Sequence, residues 1–239
     1  MDWDIRRFAE IDSTNRWVMA QARAGAAEGL VAAAGFQTAG RGRRHRVWEA
    51  PAGTGLLASV LLRPDLSVER WPLVTVAVAL AAREAAGGGV SLKWPNDLVV
   101  GDAKLGGVLA EADVATGAVV VGLGLNLTWS PPGAARLGPV GRDQVLWEWL
   151  AALARLYGDW PAVVAGARRH CSTLGRRVRV TAAGAGDITG LAVDVTDAGH
   201  LVVDTPAGRR TVTAGDVVHL HAISSKARRR RRRRRRWPG

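Results

Sequence analysis

Residues 90–127 read VSLKWPNDLVVGDAKLGGVLAEADVATGAVVVGLGLNL. Four short apolar runs, Ser91 to Trp94, Leu98 to Val100, Lys104 to Ala112 and Ala118 to Leu127, are separated by turn formers. Gly101-Asp102 and Thr116-Gly117 have the residue types of tight hairpin turns, where glycine supplies the positive φ at no steric cost. Strands joined in this way pair antiparallel, so the stretch predicts a mixed or largely antiparallel sheet.

Upstream, Asp4 to Ile11 reads as a first strand, and Asp12-Ser13-Thr14-Asn15 offers several N-caps for the Ala-rich helix that follows. Leu30 to Phe36 and Leu56 to Leu62 are unbroken apolar runs, hence buried strands. Between them, residues 38–55 are rich in Gly and Arg and read as a loop. Ser67 to Ala86 has helical spacing and stops at Gly87-Gly88-Gly89. Downstream, Gln144 to about Arg169 is helical, with Leu146, Trp149, Leu150, Leu153 and Leu156 on one face. The pattern changes at Gly175. Val178 to Val180, Ile188 to Val195, Leu201 to Val203, Arg210 to Val212 and Val217 to Leu220 are short strands separated by Gly and Asp turns, as in a small all-β barrel. The expected organisation is an α+β domain over residues 1–174, a barrel over 175–222 and a disordered tail over 223–239.

At 239 residues the chain is long enough to bury a sizeable core, and 48% hydrophobic with 23% charged residues excludes a disordered composition. Cys171 stands alone, which excludes an internal disulfide and a Cys-rich metal site and suits a reducing compartment. No run approaches the ~18 apolar residues of a membrane span. The acidic start Met1-Asp2-Trp3-Asp4 lacks the order of a signal peptide, so a cytoplasmic protein without membrane contact is expected. The net charge of +12 is misleading as to its location. Arg228 to Arg236 and Lys226 carry ten positive charges, and without them the chain stands at +2. Such a run is a solvated appendage that binds polyanions at low salt.

Two segments carry chemistry. In Gln37-Thr38-Ala39-Gly40-Arg41-Gly42-Arg43-Arg44-His45-Arg46, the glycines let backbone N–H groups approach a ligand, and four guanidinium forks suit phosphate or carboxylate. The spacing is neither a P-loop nor a dinucleotide fingerprint, and solvated Gly/Arg loops are common. In Lys93-Trp94-Pro95-Asn96-Asp97 and Lys104-Leu105-Gly106-Gly107, Lys104 opens an apolar strand, where a charge needs a partner. A lysine there could neutralise a carboxylate and a phosphate together, or simply reach solvent from a strand edge. Asn96 and Asp97 follow a proline and could supply amide and carboxylate contacts, ligate Mg²⁺, or form an ordinary turn.

Taken in order, Asp12-Ser13-Thr14-Asn15, Gln37, GRGRR at 40–44, Trp48, KWPND at 93–97, KLGG at 104–107 and GLGLN at 122–126 resemble the biotin protein ligases. The segment 175–221, ending in Ala214-Gly215-Asp216-Val217, resembles their C-terminal SH3-like barrel. The resemblance implies a catalytic domain of the class II aminoacyl-tRNA synthetase-like, biotin/lipoate ligase type. It also implies two steps. Biotin attacks the α-phosphate of MgATP to give biotinyl-5′-AMP, and a lysine of a biotin carboxyl carrier domain then takes the biotin. Ser13, Thr14, Asn15, Gln37, Arg41, Gly42, Arg43 and Lys104 would hold biotin. Arg43, Arg46, Trp48, Asn96, Asp97 and Asn126 would hold the nucleotide, with Lys104 and Arg43 catalytic and Asp97 a Mg²⁺ ligand. His45 stands where the family loop usually has Gly. No winged-helix segment precedes these motifs, which implies a monofunctional ligase without specific DNA binding, monomeric or weakly dimeric.

A lipoate or octanoate ligase shares the catalytic fold, but its pattern lacks GRGRR paired with KWPND. A nucleic-acid-binding protein driven by the arginine run would need stacking aromatics or a groove-reading helix, whereas the ten tryptophans are scattered. The four arginines of residues 38–49 have no obvious acidic partners, which predicts a mobile loop in the free protein. His170-Cys171, His219 with His221, and Trp147 with Trp149 read as structural.

Overall fold

The computed structural model describes residues 1–182 and 186–220; the expected tail of 223–239 lies outside the described residues. A seven-stranded sheet runs in the order β1-β2-β3-β7-β6-β5-β4. Its strands are β1 (Asp4–Ile11), β2 (Leu30–Gln37), β3 (Gly55–Leu62), β4 (Val90–Lys93), β5 (Asp97–Val100), β6 (Ala103–Asp113) and β7 (Ala118–Asn126). Only β1 and β2 are parallel, and the helix α1 (Thr14–Arg23) makes the crossover that a parallel pair requires. Every other neighbouring pair is antiparallel, in keeping with the hairpins read at Gly101 and Gly117, which have φ of 59° and 67°.

β3 is apolar except for Ser59, and all eight of its residues are buried because helices cover both faces. On one face α1 packs Val18 and Ala22 against Ala32, Leu61, Ala118 and Val120. On the other lie α2 (Pro72–Ala86), α3 (Arg142–Leu156) and α4 (Trp160–His170), with Trp149 fully buried among them. Two helix limits differ from the sequence reading. α2 begins at Pro72, because Val68–Arg70 forms a 3₁₀ turn and a proline favours the first helical turn. The single helical stretch expected from Gln144 to Arg169 is two helices. Gly158 breaks it with φ of 100°, and Asp159 caps the second helix by accepting from the Ala162 N–H.

β7 shows how the sheet prepares a site. Its face toward α1 carries Ala118, Val120, Gly122, Gly124 and Asn126 in alternation. The first two pack under the helix, while the glycines leave space beyond its N-terminal end.

A second sheet, in the order β11-β10-β9-β8-β12, consists of β8 (Arg177–Ala182), β9 (Gly186–Val195), β10 (Leu201–Thr205), β11 (Gly208–Val212) and β12 (Asp216–His219). The barrel expected here is not closed among the described residues, since β11 and β12 end the order and are not paired. The sheet still curls around one core, because Val212 and Val217 from those two strands meet Val178, Val180, Ala192, Leu201 and Val203. Trp94, from the turn after β4, plugs this core. Its Nε1 donates to Gly199 O at 3.0 Å and its backbone N–H to Thr173 Oγ1 at 3.1 Å. One side chain therefore fixes how the two sheets meet beside the pocket.

Candidate active site

A cavity of about 300 Å³ opens where the N-terminus of α1, the 40–48 segment, the β4–β5 turn, β6, β7 and β12 converge. Of the residues singled out in the sequence, Ser13, Thr14, Asn15, Gln37, Arg41, Gly42, Arg43, Arg46, Trp48, Asn96, Asp97 and Lys104 all line it. Asn126 stands apart. It is buried, and its Nδ2 donates to Ala135 O at 2.9 Å, pinning the chain after β7.

At the closed end, the helix cap and the sheet share a polar network. Ser13 caps α1, its hydroxyl oxygen accepting from the Arg16 N–H at 3.5 Å. Thr14 donates both its N–H (2.8 Å) and its hydroxyl (3.0 Å) to Gln37 Oε1. Ser59 Oγ lies 2.6 Å from Thr14 Oγ1 and 2.7 Å from Asn15 Oδ1. Asn15 Nδ2 donates to Leu109 O at 3.1 Å and to Glu111 Oε2 at 2.9 Å. These three oxygen–oxygen contacts need three protons, but the Ser59 and Thr14 hydroxyls supply two. The network therefore has spare acceptor capacity for a ligand N–H, while Gln37 Nε2 remains a donor for a ligand carbonyl. Asn15 is otherwise committed to the protein. Gly122 makes room for it, since a Cβ there would overlap Asn15 Oδ1.

The 40–48 segment is a small flap. Arg41 and Val47 form an antiparallel bridge, Gly42 N–H donates to Arg46 O at 2.7 Å, and Trp48 N–H to Gly40 O at 3.1 Å. At its tip Arg44 and His45 take φ of 52° and 61°. His45 thus occupies the left-handed conformation that a glycine adopts freely, and histidine is among the side chains enriched there. The acidic partners missing from the neighbouring sequence come from far along the chain, against the expectation of unpartnered arginines. Arg41 pairs with Glu111 at 2.8 Å, and Arg43, Arg44 and Arg46 converge on Asp216 at 3.7, 3.4 and 2.5 Å. Arg44 also donates to Thr181 O at 2.8 Å, and Arg43 to Gly215 O at 3.1 Å and Asn96 Oδ1 at 3.2 Å. Burial lowers the Arg43 pKa from its usual value, with Asp216 opposing the shift.

Trp48 closes one wall. Its indole lies over Gly124, where a Cβ would stand 2.6 Å from Cε2, and Lys104 Nζ sits 5.7 Å from its ring centroid. Its Nε1 is buried without a partner among the described residues, a cost of about 1–3 kcal/mol that a ligand acceptor would relieve. Lys104 Nζ pairs with Asp97 Oδ1 at 2.6 Å, so the charge that opens an apolar strand has its partner seven residues back. The described residues contain no cluster of three or more His, Cys, Asp or Glu that could hold a metal ion. Ser59 and Glu111 are the components that sequence reading missed, while Asp216 and the glycines of β7 stood in quoted motifs without a role in the site. Ser59 had a signal, as the one polar residue in an apolar strand.

Comparison with known proteins agrees with this architecture. Residues 8–126 match the biotin/lipoate A/B protein ligase family, and residues 173–220 the biotin protein ligase C-terminal domain. The chain is 37% identical over 234 residues to the biotin–[acetyl-CoA-carboxylase] ligase of Mycobacterium tuberculosis, spanning 89% of this chain and 87% of that one. It is 36% identical over 128 residues to the bifunctional ligase/repressor BirA of Bacillus subtilis, spanning 51% of this chain and 39% of that protein. The biotin protein ligase of Aquifex aeolicus, solved in complex with biotin and ATP, superposes with a TM-score of 0.76 at 26% identity, over 92% of this chain and 99% of that one. By sequence and by fold, the chain belongs to the biotin protein ligase family.

Proposed function

We infer that the chain is an ATP-dependent biotin protein ligase. It joins the biotin carboxylate to the α-phosphate of ATP with loss of pyrophosphate, then passes the biotinyl group to a carrier lysine with loss of AMP. The observation that carries the reading is the continuity of one cavity from Thr14 and Gln37, behind which Ser59 is buried, to the Lys104 and Arg43 cations. A cyclic urea offers two N–H donors and one carbonyl acceptor. The spare acceptor at the closed end can take one of those N–H groups, and Gln37 Nε2 and the Ser13 hydroxyl are donors for the carbonyl. The apolar walls, including Leu57, Ala58 and Leu123, suit a bicyclic ring and an alkyl chain.

In the first step a carboxylate oxygen attacks phosphorus and the bond to the pyrophosphate oxygen breaks. Negative charge accumulates around the α-phosphorus, and Lys104 and Arg43 are the cations proposed to stabilise it. Arg46, Trp48, Asn96 and Asp97 are proposed to contact the nucleotide. Asp97 is held by Lys104, and no cluster of three or more His, Cys, Asp or Glu among the described residues could hold a metal ion. Mg²⁺ enters in this reading as part of the MgATP substrate, bound chiefly by its phosphates. In the second step the ε-amine of a carrier lysine attacks the acyl carbon, the bond to the AMP oxygen breaks and the amine loses a proton. The acceptor is proposed to be the biotin carboxyl carrier domain of a carboxylase, by analogy with the M. tuberculosis relative. No helix among the described residues is long and apolar enough to cross a membrane. The enzyme is proposed to act in the cytoplasm, beside its carboxylase substrate.

The test is transfer of labelled biotin to a purified carrier domain, with lipoate and octanoate as competitors. Labelling of one carrier lysine that biotin supports and lipoate does not inhibit bears out the reading. Preference for lipoate or octanoate would assign the site to the other branch of the fold.

A further inference from the structure

The flap is tied into the polar network at two points, Gln37 before it and Arg41 within it. Gln37, the last residue of β2, anchors Thr14; Thr14 meets Ser59, and Ser59 meets Asn15. Asn15 Nδ2 reaches Glu111 Oε2 at 2.9 Å, and Glu111 returns to the flap through Arg41, at 2.8 Å to Oε1 and 3.1 Å to Oε2. The chain of contacts thus leaves the sheet at Gln37, passes beneath the closed end of the cavity and re-enters the flap four residues later. Glu111 is its only charged link besides Arg41. It lies on β6 behind the wall and does not line the cavity itself.

The chemistry of Asn15 fixes the direction of this link. Both neighbours on its nitrogen side, Leu109 O and Glu111, are acceptors, so Oδ1 must face Ser59 and the site. A Glu111 carboxylate that shifts toward or away from Arg41 therefore pulls on the amide that the ring-binding hydroxyls lean against. A ligand that takes up the spare acceptor capacity of the network in turn fixes Glu111 for Arg41.

We propose that Glu111 is a positioning residue that couples occupation of the ring end of the cavity to closure of the flap. The proposal rests on the ligase reading above. It assigns Glu111 no contact with substrate. Its function is to slow the escape of the reactive acyl-adenylate by holding Arg41, while keeping Asn15 oriented for ring binding.

The two functions separate by substitution. Glu111→Gln retains an acceptor for Asn15 but loses the charge that holds Arg41; Glu111→Ala loses both. Enzyme loaded with labelled adenylate is chased with unlabelled biotin and ATP, and the label released is followed alongside the KM for biotin and the melting curve. For Glu111→Gln, escape about threefold to tenfold faster with an unchanged KM for biotin is expected, the range for a partly exposed charged contact. Glu111→Ala should show the faster escape and a raised KM. Arg41→Gln should release adenylate as Glu111→Gln does, and the double variant no faster than either single one, because the two substitutions remove the same contact. Wild-type escape rates in the Gln variant, or additive effects in the double variant, would overturn the proposal. If the wild-type enzyme forms no adenylate at all, it is the ligase reading that fails, and Glu111 loses its role with it.

Discussion

Lys104 Nζ and Asp97 Oδ1 are 2.6 Å apart across neighbouring strands, beside Gly107. A Cβ on Gly107 would stand 3.4 Å from Nζ and 3.5 Å from Oδ1, so the second glycine of KLGG leaves the ion pair its room. The lysine is only partly exposed, and its carboxylate partner holds it at the cavity wall rather than in bulk solvent. Lys104→Ala should lower the rate of adenylate formation by about 10²–10³, the cost of losing one electrostatic contact to a transition state. Stopped-flow pyrophosphate release, beside an unchanged melting curve, checks this. Near-normal turnover removes Lys104 from the chemistry.

Asp216 gathers three arginines of the flap onto the second sheet. Asp216→Asn keeps the shape and removes the charge. Each pair is partly exposed, so global stability should fall by no more than about 1 kcal/mol for each of the three pairs lost. The local effect should be larger, with hydrogen exchange at the Gly42 and Trp48 amides accelerated in the free enzyme. Unaltered exchange there would mean that the backbone bonds of the flap suffice without Asp216.

The glycines of β7 exclude side chains from the pocket for different reasons. Gly122→Ala collides with Asn15 Oδ1 and should raise the KM for biotin. Gly124→Ala displaces the Trp48 indole and should act mainly on the KM for ATP. Steady-state kinetics with each substrate varied in turn distinguishes the two, and identical effects on both constants would refute the division.

His219 links the sheets below the pocket. Its ring meets Thr173 Oγ1 and Arg176 Nη1, each at 3.2 Å, with Asp102 3.7 Å away. Burial, then Lys93 and Arg176, lower its pKa from the usual value, with Asp102 opposing. The unfolded chain therefore takes up this proton first as pH falls. The contribution to stability is complete above about pH 6.5 and is lost on acidification below it. Thermal melts across that range should fall more steeply for the wild type than for His219→Gln, and equal slopes would contradict the assignment.

Much of this was legible because local rules and tertiary fold agree. Ser13 caps α1 as its residue type suggests, and Gly101 and Gly117 make the turns between strands of the meander. The ordered motifs also placed all but one of the candidate residues at one cavity. What stayed hidden depends on contacts across long stretches of chain. Arg41 finds Glu111 seventy residues on, and Arg46 finds Asp216 at a separation of 170. No window of sequence around the flap contains those carboxylates. Strand spacing announced the five strands of the second sheet but not which edges pair, and among the described residues β11 and β12 remain unpaired. The break between α3 and α4 did have a signal in Gly158-Asp159 and Pro161, outweighed by a continuous apolar stripe.

The central claim is that this cavity activates biotin with ATP, and pyrophosphate release in the absence of any carrier tests it most directly. With ATP, Mg²⁺ and biotin, the enzyme should release pyrophosphate in a burst matching the amount of enzyme and retain biotinyl-5′-AMP detectable by mass spectrometry; without biotin there should be no burst. Pyrophosphate release indifferent to biotin, or folded enzyme that retains no adenylate when both substrates are present, would contradict the account.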